Sequence, residues 1–156
     1  MVQVYVAGPT CTRAFTVEET NGVPLGRVVD FVTLSAGGET VGIASANASV
    51  LGVAYQGDFT GKYASVSTTG TGIGTARTQN TIANGDKLTV IMKGCGAVVR
   101  CFTGVANISA GASLIPVNGG SVSPSNPGTS NVDLLIGTAV SAQATVSGTI
   151  DVLLNY

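Results

Sequence analysis

Enzyme chemistry starts from a base, a nucleophile or a metal ligand, and this chain is short of all three. It contains no histidine, so a serine nucleophile has no imidazole to take its proton. Serine–lysine chemistry would need Lys62, Lys87 or Lys93, the only lysines, and none sits in a recognisable motif. Glu18 and Glu19 are adjacent in a turn cluster, and the other six carboxylates are scattered singly. Glycoside cleavage needs two carboxylates flanking one bond, and a neighbouring pair in a turn reads instead as solvated. Cys11, Cys95 and Cys101 form no Cys-x-x-Cys and have no histidine to join them in a zinc site. Residues 57–63, Gly-Asp-Phe-Thr-Gly-Lys-Tyr, approach a phosphate loop. They are one residue short, with Tyr63 where a serine or threonine should hold the metal. Gly70-Thr71-Gly72-Ile73-Gly74 lacks both the spacing of a dinucleotide fingerprint and the helix that should follow. The expectation is a protein that is not an enzyme and uses no cofactor and no metal.

The elements that would carry such groups are read from composition first. A chain of 156 residues is long enough for one domain with a real core, or for two small closely packed ones, and residues 1–156 are read as a single β-rich domain. Charged residues make up 10%, against roughly 25% in an average soluble domain. Hydrophobic content is ordinary at 44%, so the chain is not disordered. Low charge fits either a compact neutral β-domain or a surface covered by partner subunits. A net charge of -1 with no basic cluster argues against nucleic acid as a partner. No apolar run is long enough to span a bilayer as a helix, and no membrane partner is expected. The N-terminus has neither a basic region nor a sustained apolar stretch, so no secretory signal is expected. Three cysteines, an odd number, suit a reducing compartment better than a disulfide framework.

Along the chain, short alternating runs recur between Gly, Pro and Asn breakers, and no window carries a helical stripe. The fold class predicted is all-β: a compact β-sandwich or β-barrel with short strands, long Gly/Thr/Ser-rich loops and little or no helix. Val2, Val4 and Val6 alternate on one face of a first strand. Residues 1–10 form either an ordinary edge strand or an arm that adds to a neighbour's sheet, which makes these three valines the partner-binding candidates. Residues 27–34 are apolar on both faces and read as a central strand. Runs 87–93 and 97–102, separated by Gly94-Cys95-Gly96, read as one β-hairpin. Residues 68–79 read as a Gly/Thr surface loop or an insertion that contacts a neighbour. Residues 134–140 and 148–154 read as the last two strands. Leu51-Gly52-Val53-Ala54 echoes Ile136-Gly137-Thr138-Ala139. Two unrelated strand starts explain four residues as well as a duplication does.

Residues 94–156 resemble the tailed-phage capsid cement, or head decoration, proteins. The matching residues are 94–102, then Ile108-Ser109-Ala110-Gly111-Ala112-Ser113-Leu114, Gly119-Gly120, Ile136-Gly137-Thr138-Ala139 and 148–154. Earlier in the chain, residues 51–57 resemble that family's "G-V-A" strand. The 68–79 tract and the longer N-terminal region depart from the pattern. The resemblance implies a structural protein on the outer surface of a phage head, assembled in the host cytoplasm. It would clamp the major capsid protein, commonly as a homotrimer. Competing expectations are another phage structural subunit (tail tube or fibre) and a glycan-binding β-domain. The second is weakened by the absence of tryptophan and an aromatic content of 5%.

Overall fold

A computed structural model describes residues 4–35, 38–46, 48–57, 81–125, 132–145 and 148–156. Val2, both glycine-loop motifs and the 68–79 tract lie wholly or largely outside them. The described chain is all-β. Its strands are β1 (Tyr5–Ala7), β2 (Thr12–Val17), β3 (Val23–Pro24), β4 (Val28–Ser35), β5 (Gly38–Ile43), β6 (Gly52–Gly57), β7 (Thr81–Ile82), β8 (Lys87–Met92), β9 (Val98–Phe102), β10 (Ser113–Val117), β11 (Ser121–Pro124), β12 (Gly137–Ala139) and β13 (Thr149–Leu153). A single 3-10 turn, Val132–Leu134, is the only helical element among the described residues.

Strands β2-β5-β4-β6-β8 close a five-stranded barrel, and β1-β9-β13-β12-β10-β11 form a six-stranded sheet. Period-two alternation explains why these segments pair this way. Leu88 and Val90 point into the barrel, as do Val29 and Ala54, and all four are fully buried.

The two halves repeat one another. In the barrel, β4 and β6 pair Val28↔Val53 and Val29↔Gly52; in the sheet, β10 and β12 pair Ser113↔Thr138 and Leu114↔Gly137, every partner 85 positions further on. The flanking hydrogen bonds repeat too: Gly26 N–H to Ala54 O (2.8 Å) and Leu51 N–H to Val29 O (3.0 Å) recur as Gly111 to Ala139 (2.8 Å) and Ile136 to Leu114 (2.9 Å). The β2–β8 ladder with Arg13↔Val90 and Phe15↔Leu88 returns as β9–β13 with Val99↔Val152 and Cys101↔Ile150. The parallel contact that closes the barrel, Val17↔Val41, has its counterpart in the parallel bridge Thr103↔Val122. Even the small β3–β7 contact, Val23↔Ile82, is matched by the bridge Ile108↔Gln143. Strands β9 to β13 are therefore a second copy of the β2–β8 barrel, closed between β9 and β11 by one bridge. The Leu51–Ala54 and Ile136–Ala139 echo marks the same strand in each copy.

The barrels share apolar packing. The first has its own core around Phe15, Val17, Val29 and Leu88. Outward-facing Val28, Val53 and Ile91 from its wall join a second core with Val4, Ala97, Val99 and Leu154. The arrangement corrects two expectations. Runs 87–93 and 97–102 are not a hairpin: β8 pairs with β2 and β6, whereas β9 pairs with β1 and β13. Both edges of β8 are already taken, and the left-handed Gly94 (φ 78) and Gly96 (φ 79) turn the chain away into the second barrel. The strand expected over 134–140 shrinks to β12, because the 3-10 turn takes up its start.

Candidate functional site

Most of the reactive side chains among the described residues are held in structural roles. Cys101 is buried, and burial, with Asp151 adding to it, pushes its thiol up to about 12. It therefore stays a neutral core residue rather than a nucleophile. Cys95 is half-buried and its Sγ accepts from the Ala97 N–H at 3.4 Å, while Cys11 is exposed. Glu18 bonds Thr40, and Glu19 accepts from the Ile43 N–H at 3.4 Å, so the adjacent pair ties a loop to β5. Arg100 holds Asp151 through two hydrogen bonds of 2.8 and 3.2 Å across β9 and β13, and this partner raises the guanidinium pKa. Among the described residues no group of three or more His, Cys, Asp or Glu is placed to hold a metal.

Asp30 sits on the outer face of β4. Burial raises its pKa, a backbone hydrogen bond opposes this, and the charge of Glu19 adds to the rise. The unfolded chain thus ionises first as pH climbs past the ordinary value of 3.8. Stability from this site is full below that value and is lost as pH rises through the folded pKa. Asp30→Asn removes the loss. Its melting temperature should exceed that of the wild type at neutral pH, with the advantage fading toward about pH 3. A difference that does not change with pH would contradict this assignment.

The surfaces that could engage a partner lie at β1 and at the β4–β5 hairpin. Among the described residues strand β1 is an edge strand, paired only to β9 (Tyr5↔Val99, Ala7↔Val98), with a register shift between Tyr5 and Ala7. Val4 packs in the chain's own core at 2% exposure, and its carbonyl accepts from the Arg100 N–H at 2.6 Å. Val6 is 36% exposed. The structure thus separates these valines: Val4 faces inward, Val6 outward, and Val2 lies outside the described residues.

The hairpin was not singled out from sequence. The β4–β5 ladder runs from Val29↔Ile43 out to Ser35↔Gly38. Its counterpart in the second barrel already turns after Val117↔Ser121. Phe31 and Val32, on the longer hairpin, are 38% and 48% exposed. Phe31 is steadied by an edge-to-face contact with Phe15, ring centroids 5.7 Å apart. Arg13, stacked on Phe15 at 5.3 Å, forms an ion pair with Glu39 at 2.5 Å beside it. The available signal was two consecutive apolar residues, Phe31-Val32, late in a long strand.

No protein-family model matches the sequence, and no curated protein matches it. Among solved structures the chain is similar to the head fibre gp8.5 N base of bacteriophage phi29. The TM-score is 0.59 at 15% identity, covering 92% of this chain and 94% of that one. At that identity the likeness establishes a shared fold over nearly the whole of both chains.

Proposed function

We propose that this chain is a structural protein of a tailed-phage head. It binds the outer surface of the shell and holds neighbouring major capsid subunits. The observation that carries the reading is the fold shared, over almost its full length, with a protein whose description places it in a head fibre. The cement-protein resemblance of residues 94–156 supports the same location. The near-neutral, Gly- and Thr-rich composition suits burial between subunits. A protein that binds only the assembled shell stabilises it by mass action, and many copies add their effects. No catalysis, cofactor or metal enters this role.

A second reading is favoured by the same neighbour: the chain is the head-bound base of a fibre, and any fibre emerges from a further segment or a further protein. In both readings the chain seats on the head, and Val6 on the β1 edge is one candidate contact. The test is co-sedimentation of purified protein with heads stripped of their surface proteins. Binding should saturate at a fixed number of copies per head. Protein that stays in the supernatant at every concentration would overturn both readings.

A further inference from the structure

An asparagine followed by glycine is open to attack on its own side-chain amide, because no Cβ shields the next main-chain nitrogen. The chain has three such pairs, Asn21-Gly22, Asn84-Gly85 and Asn118-Gly119. All three stand at turns with a left-handed glycine, at φ 73, 87 and 82. Their surroundings differ. The Gly22 N–H donates to Glu19 O and the Gly85 N–H to Val17 O, both at 2.8 Å. Each of these bonds pins the peptide plane that would have to turn before its nitrogen could reach the side chain. The Gly119 N–H has no acceptor among the described residues. Asn118 and Gly119 are both exposed, whereas Gly22 is buried. An ideal Cβ on Gly119 would meet nothing within 4 Å, so this plane has room to turn.

The side-chain amide of Asn118 is also prepared for attack. Its Oδ1 accepts from the Ala46 N–H at 3.1 Å. A donor in that position polarises Cγ and stabilises the oxygen as negative charge develops on it.

We propose that Asn118 is a self-modification site, converting in water to aspartate and isoaspartate faster than Asn21 or Asn84. The Gly119 nitrogen gives its proton to hydroxide and bonds to Cγ of Asn118. Nδ2 takes a proton from water and leaves as ammonia, and a cyclic imide remains. Water then opens the imide. Breaking the bond from the Gly119 nitrogen to Cγ gives aspartate. Breaking its bond to the main-chain carbonyl carbon gives isoaspartate, with an extra carbon in the main chain. Nothing is oxidised or reduced. Isoaspartate lengthens the β10–β11 turn beside its tightest contact. Gly120 donates to Ala44 O (3.1 Å) and accepts from the Val28 N–H (2.8 Å), and an ideal Cβ on it would lie 2.7 Å from Val28 O. A tip seated this closely has no slack for another atom, so the change loosens the joint between the barrels. The proposal concerns the chain alone and stands apart from what the chain binds.

The test ages the wild-type protein in mildly alkaline buffer and follows each asparagine by peptide mapping that separates aspartate from isoaspartate. Asn118 should convert at least about fivefold faster than Asn21 or Asn84, the factor that one net main-chain hydrogen bond supplies. In the urea-unfolded chain the pinning bonds are gone and the three rates should come together. Equal rates in the folded protein, or a slower rate at Asn118, overturn the proposal, and so does a difference that persists undiminished in urea. The aged protein should melt below the fresh one. Asn118→Asp keeps the main-chain length and an oxygen for the Ala46 N–H, and should melt with the wild type. An aged protein that melts unchanged, or an Asn118→Asp variant that melts as low as the aged protein, overturns the assignment of the loosened joint to the extra carbon.

Discussion

Gly52→Ala and Gly137→Ala will each destabilise the fold by about 3 kcal/mol or more, and by similar amounts, because added bulk in a tightly packed site forces backbone shifts. An ideal Cβ on Gly52 would lie 2.2 Å from the carbonyl oxygen of Ile91 and 2.8 Å from Cγ1 of Val90. On Gly137 it would lie 2.2 Å from the carbonyl oxygen of Leu153 and 2.8 Å from Cγ1 of Val152. The obstructing atom in both cases is main chain, part of the neighbouring strand. It can move only by spreading β6 from β8, or β12 from β13. For a chain of this size a 3 kcal/mol loss lowers the melting temperature by roughly 6–12 °C. Urea titration of both variants checks the repeat directly. A cost below about 1 kcal/mol at either glycine, within the range of ordinary surface changes, would contradict the close approach.

Ile91→Asp should be worse than the corresponding change in the second barrel. Ile91 is fully buried, facing out of its own barrel into the core shared with Val4, Ala97, Val99 and Leu154. Removing the side chain costs about 2–5 kcal/mol in packing. A carboxyl placed there finds no cation among the apolar residues of that core and must stay protonated or break the contact. The total exceeds about 4 kcal/mol, enough to unfold much of a marginally stable domain. Leu153 holds the equivalent place on the second barrel and is half-buried. Leu153→Asp should therefore cost at least about 2 kcal/mol less, since only part of its surface leaves water. Equal costs in urea titration would show that the contact between the barrels is not what buries Ile91.

The fold class was legible because alternation survives wherever a strand has one wet face. Leu88-Val90 and Ile150-Val152 announce β8 and β13 without any tertiary information. The repeat was nearly invisible because the positions it preserves are directions, not residue types. Phe15 answers to Cys101 and Val17 to Thr103, both pairs buried, with no chemical likeness to betray them. The chemically constrained positions are glycines, Gly52 and Gly137 under a neighbouring carbonyl and the left-handed Gly26 and Gly111, which is why the echo of Leu51–Ala54 in Ile136–Ala139 is so short. Gly94-Cys95-Gly96 shows a second limit. Local turn chemistry marks a reversal but does not say whether the next strand pairs with the last one or with a different sheet. At the N-terminus, a register shift at Val6 ended the common face that the alternation of Val2, Val4 and Val6 implied. Phe31 and Val32 were read as central-strand residues. Strand β4 is indeed central at Val28 and Val29, but at Phe31 and Val32 it runs along a hairpin where both side chains meet water.

The proposed head-surface role rests on a shared fold and a resemblance, and a single image reconstruction tests it most directly. Phage heads stripped of surface proteins and incubated with the purified protein would be averaged by electron microscopy. The account predicts new density on the outer face of the shell, at symmetry-related positions that bridge major capsid subunits and fill to saturation. Bare shells at saturating protein, or density confined to the tail, would contradict it.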